Sequence, residues 1–419
     1  MTILRHLKAA CLGLIITPLH AAYLPDPAEA IAAVQAAPTV RQARAELAAK
    51  ALTSQSLQHG REEWSLSAEL AQRRVETVTR DSYPEWGLAL TRPLRLPQRA
   101  AADRALGGAL TAHAEASLNE ALHESGRKLL NLWFGWLDEA GQARLWDAQV
   151  GLAEAQLAAV NARIRLGEAP SADRVNAEAG LAQARLQHMQ ALARAQQARA
   201  RLSAPYPGLP VRADLDLPAP AMPTGTAEAY VEAVLAHNHE WERARREAEW
   251  LQAQARVLAQ RRSADPSVGV FYRNEADGGE HVLGVHVGLT LPGGARRSDH
   301  QAAEASSVAA REAADRIEQR LRLEARADFE AARASSAAWQ QADTAARALE
   351  EAARLAARAY ELGEGSLDQV LLTRRLAMDS RLQAWQAQVA ALAAEARLSL
   401  DTHRLWPQMY AEDEAQPHP

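Results

Sequence analysis

The chain has 419 residues, 48% of them apolar by type but only 5% aromatic, and its formal net charge is −5, becoming −7 once Arg5 and Lys8 are removed with residues 1–22. An acidic chain of this kind is poorly suited to neutralising phosphates, which argues against nucleic acid as a partner. Cys11 is the only cysteine, so residues 23–419 hold neither a disulfide nor a thiolate metal site.

Residues 1–22 read as a secretory signal. Arg5 and Lys8 make the positive start, Ala9 to Leu19 the apolar run, and Ala21 and Ala22 a small-residue exit. The run is too short for a hydrocarbon layer of about 30 Å, and no later stretch reaches the roughly 18 apolar residues of a spanning helix.

Residues 23–203 form a first repeat. Asp26 caps a short helix with Pro27 at its first position, and a second helix covers Pro38 to Gly60. From Trp64 the period falls to two. Trp64, Leu66, Ala68 and Leu70 alternate with Ser65, Ser67 and Glu69. After a polar turn at Asp81-Ser82, Trp86, Leu88 and Leu90 alternate with Gly87, Ala89 and Thr91. This predicts a hairpin with strands over about 64–73 and 84–94.

No proline interrupts residues 98–166, where Leu118, Leu122, Ser125, Leu129, Leu132 and Trp136 follow the 4-3-4-3-4 spacing of a coiled-coil seam. At 1.5 Å per residue such a helix is about 100 Å long. That is too long for a globule, and its sequence is too polar for a bilayer. A return helix follows over about 171–203. Trp133, Trp136 and Trp146 read as core packing at mid-height, and Trp64 and Trp86 as members of an interfacial aromatic girdle.

Residues 204–225 hold six of the 19 prolines (Pro205, Pro207, Pro210, Pro218, Pro220 and Pro223) and form an extended linker. The second repeat, 226–403, restates the first. Strands over about 266–274 and 281–291 flank Asp277-Gly278-Gly279, with Leu283, Val285, Val287, Leu289 and Leu291 on one face. A long helix covers about 294–362 and a return helix about 366–403, before a polar, acidic tail at 404–419.

Two marks recur between the halves. Leu94-Arg95-Leu96-Pro97 is answered by Leu289-Thr290-Leu291-Pro292, and Arg165-Leu166-Gly167-Glu168 by Glu361-Leu362-Gly363-Glu364. From Pro97 to Leu166 is 69 residues, and from Pro292 to Leu362 is 70. The chain thus reads as an internal duplication. Gly167 and Gly363 sit at the tips of two long helical hairpins, where glycine takes the left-handed conformation that ends a helix.

Four strands cannot close a barrel, and strand edges cannot stay open in lipid. Three chains would supply twelve strands, an even number within the range of outer-membrane barrels. The signal, the duplicated strand–strand–long-helix order and the Leu-Gly tips resemble the TolC family of outer-membrane efflux proteins, over nearly all of the chain beyond residue 22. The segment Leu94-Arg95-Leu96-Pro97-Gln98-Arg99 is similar to the heavy-metal, CzcC-like branch.

The resemblance implies a mainly α homotrimer with a small β part. A 12-stranded transmembrane β-barrel in outer-membrane lipid continues into a long periplasmic α-helical barrel. The tips meet a periplasmic membrane-fusion adaptor, itself bound to an inner-membrane pump of the RND type. The duct is passive, with no catalytic residue and no cofactor.

Roles at the tips follow from the same resemblance. Tyr360 and Asp173 link neighbouring helices and hold the end shut. Asp368 faces the narrowed pore, where three copies make an acidic ring that attracts cations. Leu166, Gly167, Leu362 and Gly363 are the adaptor contacts, since exposed apolar residues at a tip have no core to join. Leu371 stands where a second acidic ring can occur, and Gly365 where an arginine can help lock the tip. The ring and the branch likeness point to heavy-metal cations as cargo, while multidrug efflux and type I protein secretion use the same architecture.

A rival from another class is a periplasmic coiled-coil adaptor or structural rod, which would need neither hairpin. Enzyme chemistry finds no glycine-rich phosphate loop, no nucleophile elbow and no metal-ligand cluster in the sequence, so no metal site is expected. His237-Asn238-His239 could bind metal, but it lies at the start of a repeat helix, and no site is expected there. His281 and His286, five apart on a strand, face opposite ways. Arg322, Glu324 and Arg326 read as solvated surface, and Tyr360 has an alternative as plain packing in the hairpin seam.

Overall fold

The computed structural model describes residues 23–60, 62–76, 80–212 and 216–410. The signal segment and tail residues 411–419 lie outside the described residues. Asp26 accepts hydrogen bonds from the N–H groups of Ala28 (2.9 Å) and Glu29 (3.3 Å) and so opens α1 (Pro27–Gln35). Then come α2 (Pro38–His59), β1 (Ser65–Glu76), β2 (Arg80–Pro93), α3 (Pro97–Arg165) and α4 (Ser171–Ser203). Beyond the linker lie α5 (Ala227–Ala236), α6 (His239–Gln260), β3 (Asp265–Glu275), β4 (Glu280–Thr290), α7 (Ala295–Glu361) and α8 (Leu367–Asp401). The order helix–helix–strand–strand–long helix–helix therefore occurs twice. The long helices have 69 and 67 residues and the return helices 33 and 35.

The four strands make one antiparallel sheet in the order β1-β2-β3-β4. Asp81 and Ser82, expected in a turn, lie inside β2 opposite Val75 and Arg74. The apolar alternation stops before the strand does, because Gln72, Arg74 and Ser82 stand on the face that carries Leu66 and Leu70. Register then sorts the side chains. Leu66 faces Leu90 and Leu70 faces Trp86, while Leu88 meets Tyr272 and Leu90 meets Val270. Val285 and Val287 meet Val270 and Val268 across β3 and β4.

These residues share one face, and it is uncovered: Leu283 is 81% exposed and Val285 79%. The opposite face is mainly polar, although Phe271 and Val282 lie on it. There Arg73 pairs with Glu85 at 2.7 Å and Glu275 at 2.6 Å, and Thr91 meets His286 at 3.0 Å. Among the described residues, β1 and β4 each keep one edge without a strand partner. An exposed apolar band with open edges calls for cover. No helix among the described residues is long and apolar enough to cross a membrane.

The sheet joins the helices through paired arginines. Arg95 reaches Asp103 at 2.9 Å, while Arg99 and Arg296 both hold Asp265, at 2.5 and 2.7 Å. At mid-height α3 carries the largest core: Leu129, Trp133, Phe134 and Leu137 pack with Val34 of α1 and with Trp385, Leu392 and Leu400 of α8. The seam read from Leu118 to Trp136 lies on this face. Trp133 donates its indole N–H to the carbonyl of Tyr23 at 2.8 Å. Arg322 and Arg326, read as solvated, tie α7 to α5 through Glu232 and Glu228 at 2.8 and 2.9 Å.

The indole of Trp385 lies directly on Gly141 of α3, so a Cβ there would overlap the ring. Gly141→Ala is expected to destabilise the fold by about 1–3 kcal/mol through overpacking, seen as a lowered unfolding midpoint. An unchanged midpoint would mean that the ring shifts freely.

Candidate functional site

Both long helices end in the same motif. In the first, the Gly167 N–H donates to Ile164 O at 3.0 Å and the Glu168 N–H to Arg163 O at 2.9 Å. In the second, Gly363 donates to Tyr360 O at 3.1 Å and Glu364 to Ala359 O at 2.9 Å. This is the Schellman arrangement, and it requires a left-handed residue at the turn. Gly167 and Gly363 supply it with φ of 75° and 79°. The residues just before them, Leu166 and Leu362, project from the tips at 72% and 59% exposure. The four residues expected at an outer contact therefore form two matching apolar knobs.

Behind the knobs the hairpins are tied to each other. The Tyr360 hydroxyl, in the last turn of α7, donates to Asp173 Oδ2 in the first turn of α4 at 3.2 Å. The ring is also buried, at 5% exposure, in a small core with Val160, Ala177, Leu367 and Val370. Packing and hydrogen bonding are thus both real for Tyr360, and they are not alternatives. Burial, then the bond to the Asp173 carboxylate, push the phenol above its usual pKa, so it stays a neutral donor.

A third participant was not expected. Arg163 donates to the Tyr360 carbonyl at 2.8 Å, and its guanidinium lies over the Tyr360 ring, 4.3 Å from the centroid. A second N–H reaches Glu168 O at 3.3 Å. The tip therefore has an arginine tie although Gly365 stands where one could be sought. It comes from the opposite hairpin, 197 residues away. The only sequence signal was a basic residue in the last turn of α3, which commonly does no more than complement the helix dipole.

Asp368 lies exposed in the first turn of α8 and is not part of that tie. It lines a groove between the hairpins together with Gln156, Asn176, Arg374 and Arg375. Burial lowers the Arg374 pKa, and its guanidinium approaches Leu152 O at 3.4 Å. Leu371 packs against the small tip core, where a second carboxylate would be costly. The acidic position thus shares its groove with two arginines of the same chain.

No family model matches the chain, and no curated protein matches it. Solved structures do match its fold. A membrane protein from Pseudomonas aeruginosa is 17% identical, with 91% of this chain and 90% of that chain covered at a TM-score of 0.74. The Campylobacter jejuni CmeC outer membrane channel is 12% identical over 94% of this chain and 89% of that chain, also at 0.74. The outer-membrane channel OprN is 18% identical over 91% and 90%, at 0.70. The fold, mainly helical with a small sheet, is that of these channels.

Proposed function

We infer that this chain, which has the fold of the TolC-type outer-membrane channels, is the passive outer-membrane exit duct of a tripartite efflux system. One observation carries the reading. A four-stranded sheet with an exposed apolar face, a polar opposite face and two edges that no strand pairs among the described residues continues directly into helices about 100 Å long. Three copies joined β4 to β1 would leave no open edge, turn the apolar face to lipid and enclose the Arg73, Glu85 and His286 face as a lumen.

In this reading the helical barrel crosses the periplasm. Its apolar knobs at Leu166 and Leu362 seat against a membrane-fusion adaptor, and an inner-membrane pump of the RND type drives transport. Tyr360, Asp173 and Arg163 hold the tip closed. Asp368, in three copies, gives the narrow end a carboxylate ring that favours cations. The cargo we propose is heavy-metal cations.

Deletion of the gene tests this. Growth of the deletion strain is measured across divalent metals, dyes and antibiotics. Selective sensitivity to metals such as cobalt, zinc, cadmium or copper is the expected result. Broad sensitivity to organic compounds would overturn the cargo and leave a drug duct, while unchanged growth together with loss of a secreted protein would make it a type I secretion component.

A further inference from the structure

Away from the tips, three histidines that are remote in sequence come together beside the mid-height core. His123 lies on α3, His239 is the first residue of α6, and His403 follows the end of α8. Each offers a ring nitrogen within 4.8 Å of the other two. The His239 and His403 rings stack at 4.9 Å, and the Tyr410 ring covers them at 4.7 and 4.2 Å. His237 stacks on His403 at 5.0 Å.

Two of these rings have a nitrogen with nothing to bond. Nε2 of His239 and Nε2 of His403 are both buried and lack a hydrogen-bond partner. Buried polar atoms without partners are rare and call for an explanation, an ion being one of the few. His123 is different, because it is held from behind. Its Nε2 lies 3.3 Å from Asp401 Oδ1, and Arg127 fixes the same oxygen at 2.9 Å. Its Nδ1 lies 2.8 Å from the Tyr410 hydroxyl. A carboxylate behind an imidazole sets the tautomer and aims the other nitrogen forward, as it does in metal centres.

We propose that His123, His239 and His403 form a three-imidazole site for a divalent transition cation of the zinc(II) or copper(II) kind, with a fourth position open to water. Imidazole ligands select such ions over magnesium and calcium, which take oxygen. Nitrogens about 2.1 Å from one tetrahedral ion stand about 3.4 Å apart, so from separations of up to 4.8 Å the rings need to close by up to about 1.4 Å. Ligation through His123 Nδ1 displaces the Tyr410 hydroxyl. The ligands come from both repeats, so an ion would clamp the chain after α8 onto α3 and α6. The site is separate from the tip and from the sheet, and does not rest on the cargo proposed above.

The test uses the assembled protein in detergent, stripped with a chelator and titrated with zinc(II) by calorimetry. His239→Gln and His403→Gln are compared with the unaltered chain, because they leave the His123–Asp401–Arg127 network intact. The expected result is one zinc(II) per protomer, a raised unfolding midpoint with metal, and at least a tenfold loss of affinity in each variant. X-ray absorption of the zinc-loaded protein should show an imidazole shell. This spectrum decides the matter if a variant folds poorly. Absence of saturable binding, unchanged affinity in both variants, an oxygen-only shell, or binding lost only in Asp368→Ala would overturn the site.

Discussion

Tyr360→Phe combined with Asp173→Ala is expected to raise the single-channel conductance of the reconstituted protein several-fold, and Arg163→Ala to do so on its own. A hydrogen bond to a charged group contributes about 1.5–3 kcal/mol, and the arginine adds a carbonyl bond and a ring contact on the order of 0.5–2 kcal/mol. Across the three ties of the proposed trimer, even about 1 kcal/mol per tie shifts a closed-to-open ratio by roughly a hundredfold. Asp173→Asn keeps an acceptor and should open the channel less. If the double substitution conducts like the unaltered protein, the 3.2 Å bond is incidental and Tyr360 only fills the seam.

Val285→Arg should keep the chain out of the outer membrane. Val285 lies at the middle of the exposed apolar band, facing Val270. An arginine on a lipid-facing barrel position costs about 2–4 kcal/mol near the midplane, and three copies would carry it. His286→Arg, one residue on, points to the polar face beside Thr91. It should assemble and alter only the current through the pore. Fractionation and heat-modifiable migration separate the two outcomes. Equal tolerance of both substitutions would mean that neither face meets lipid.

Much of this architecture was legible because period and spacing carry it. Alternation from Trp64 to Leu70 and from Leu283 to Leu291 announced the strands, and the Leu-Gly pairs announced the tips to the residue. The polar ends of β1 and β2 escaped, since period-two reading follows apolar side chains and not the ladder. Tyr360 and Asp173 were named only through a family resemblance, and the fold puts them in contact. Arg163 and the cluster of His123, His239 and His403 were illegible for a different reason. Arg163, His123 and His239 are ordinary residues of their own helices and His403 of the turn after α8, and only tertiary packing makes them neighbours.

Closure of the sheet by threefold assembly is the claim from which lumen, carboxylate ring and gate all follow. Single-particle electron microscopy of the complex extracted from the outer membrane tests it most directly. The expected particle has three copies about one axis, with β4 of each paired to β1 of the next in a closed ring of twelve strands above a single helical barrel. A monomer, or a particle whose β1 and β4 edges are capped by a different protein, would contradict it.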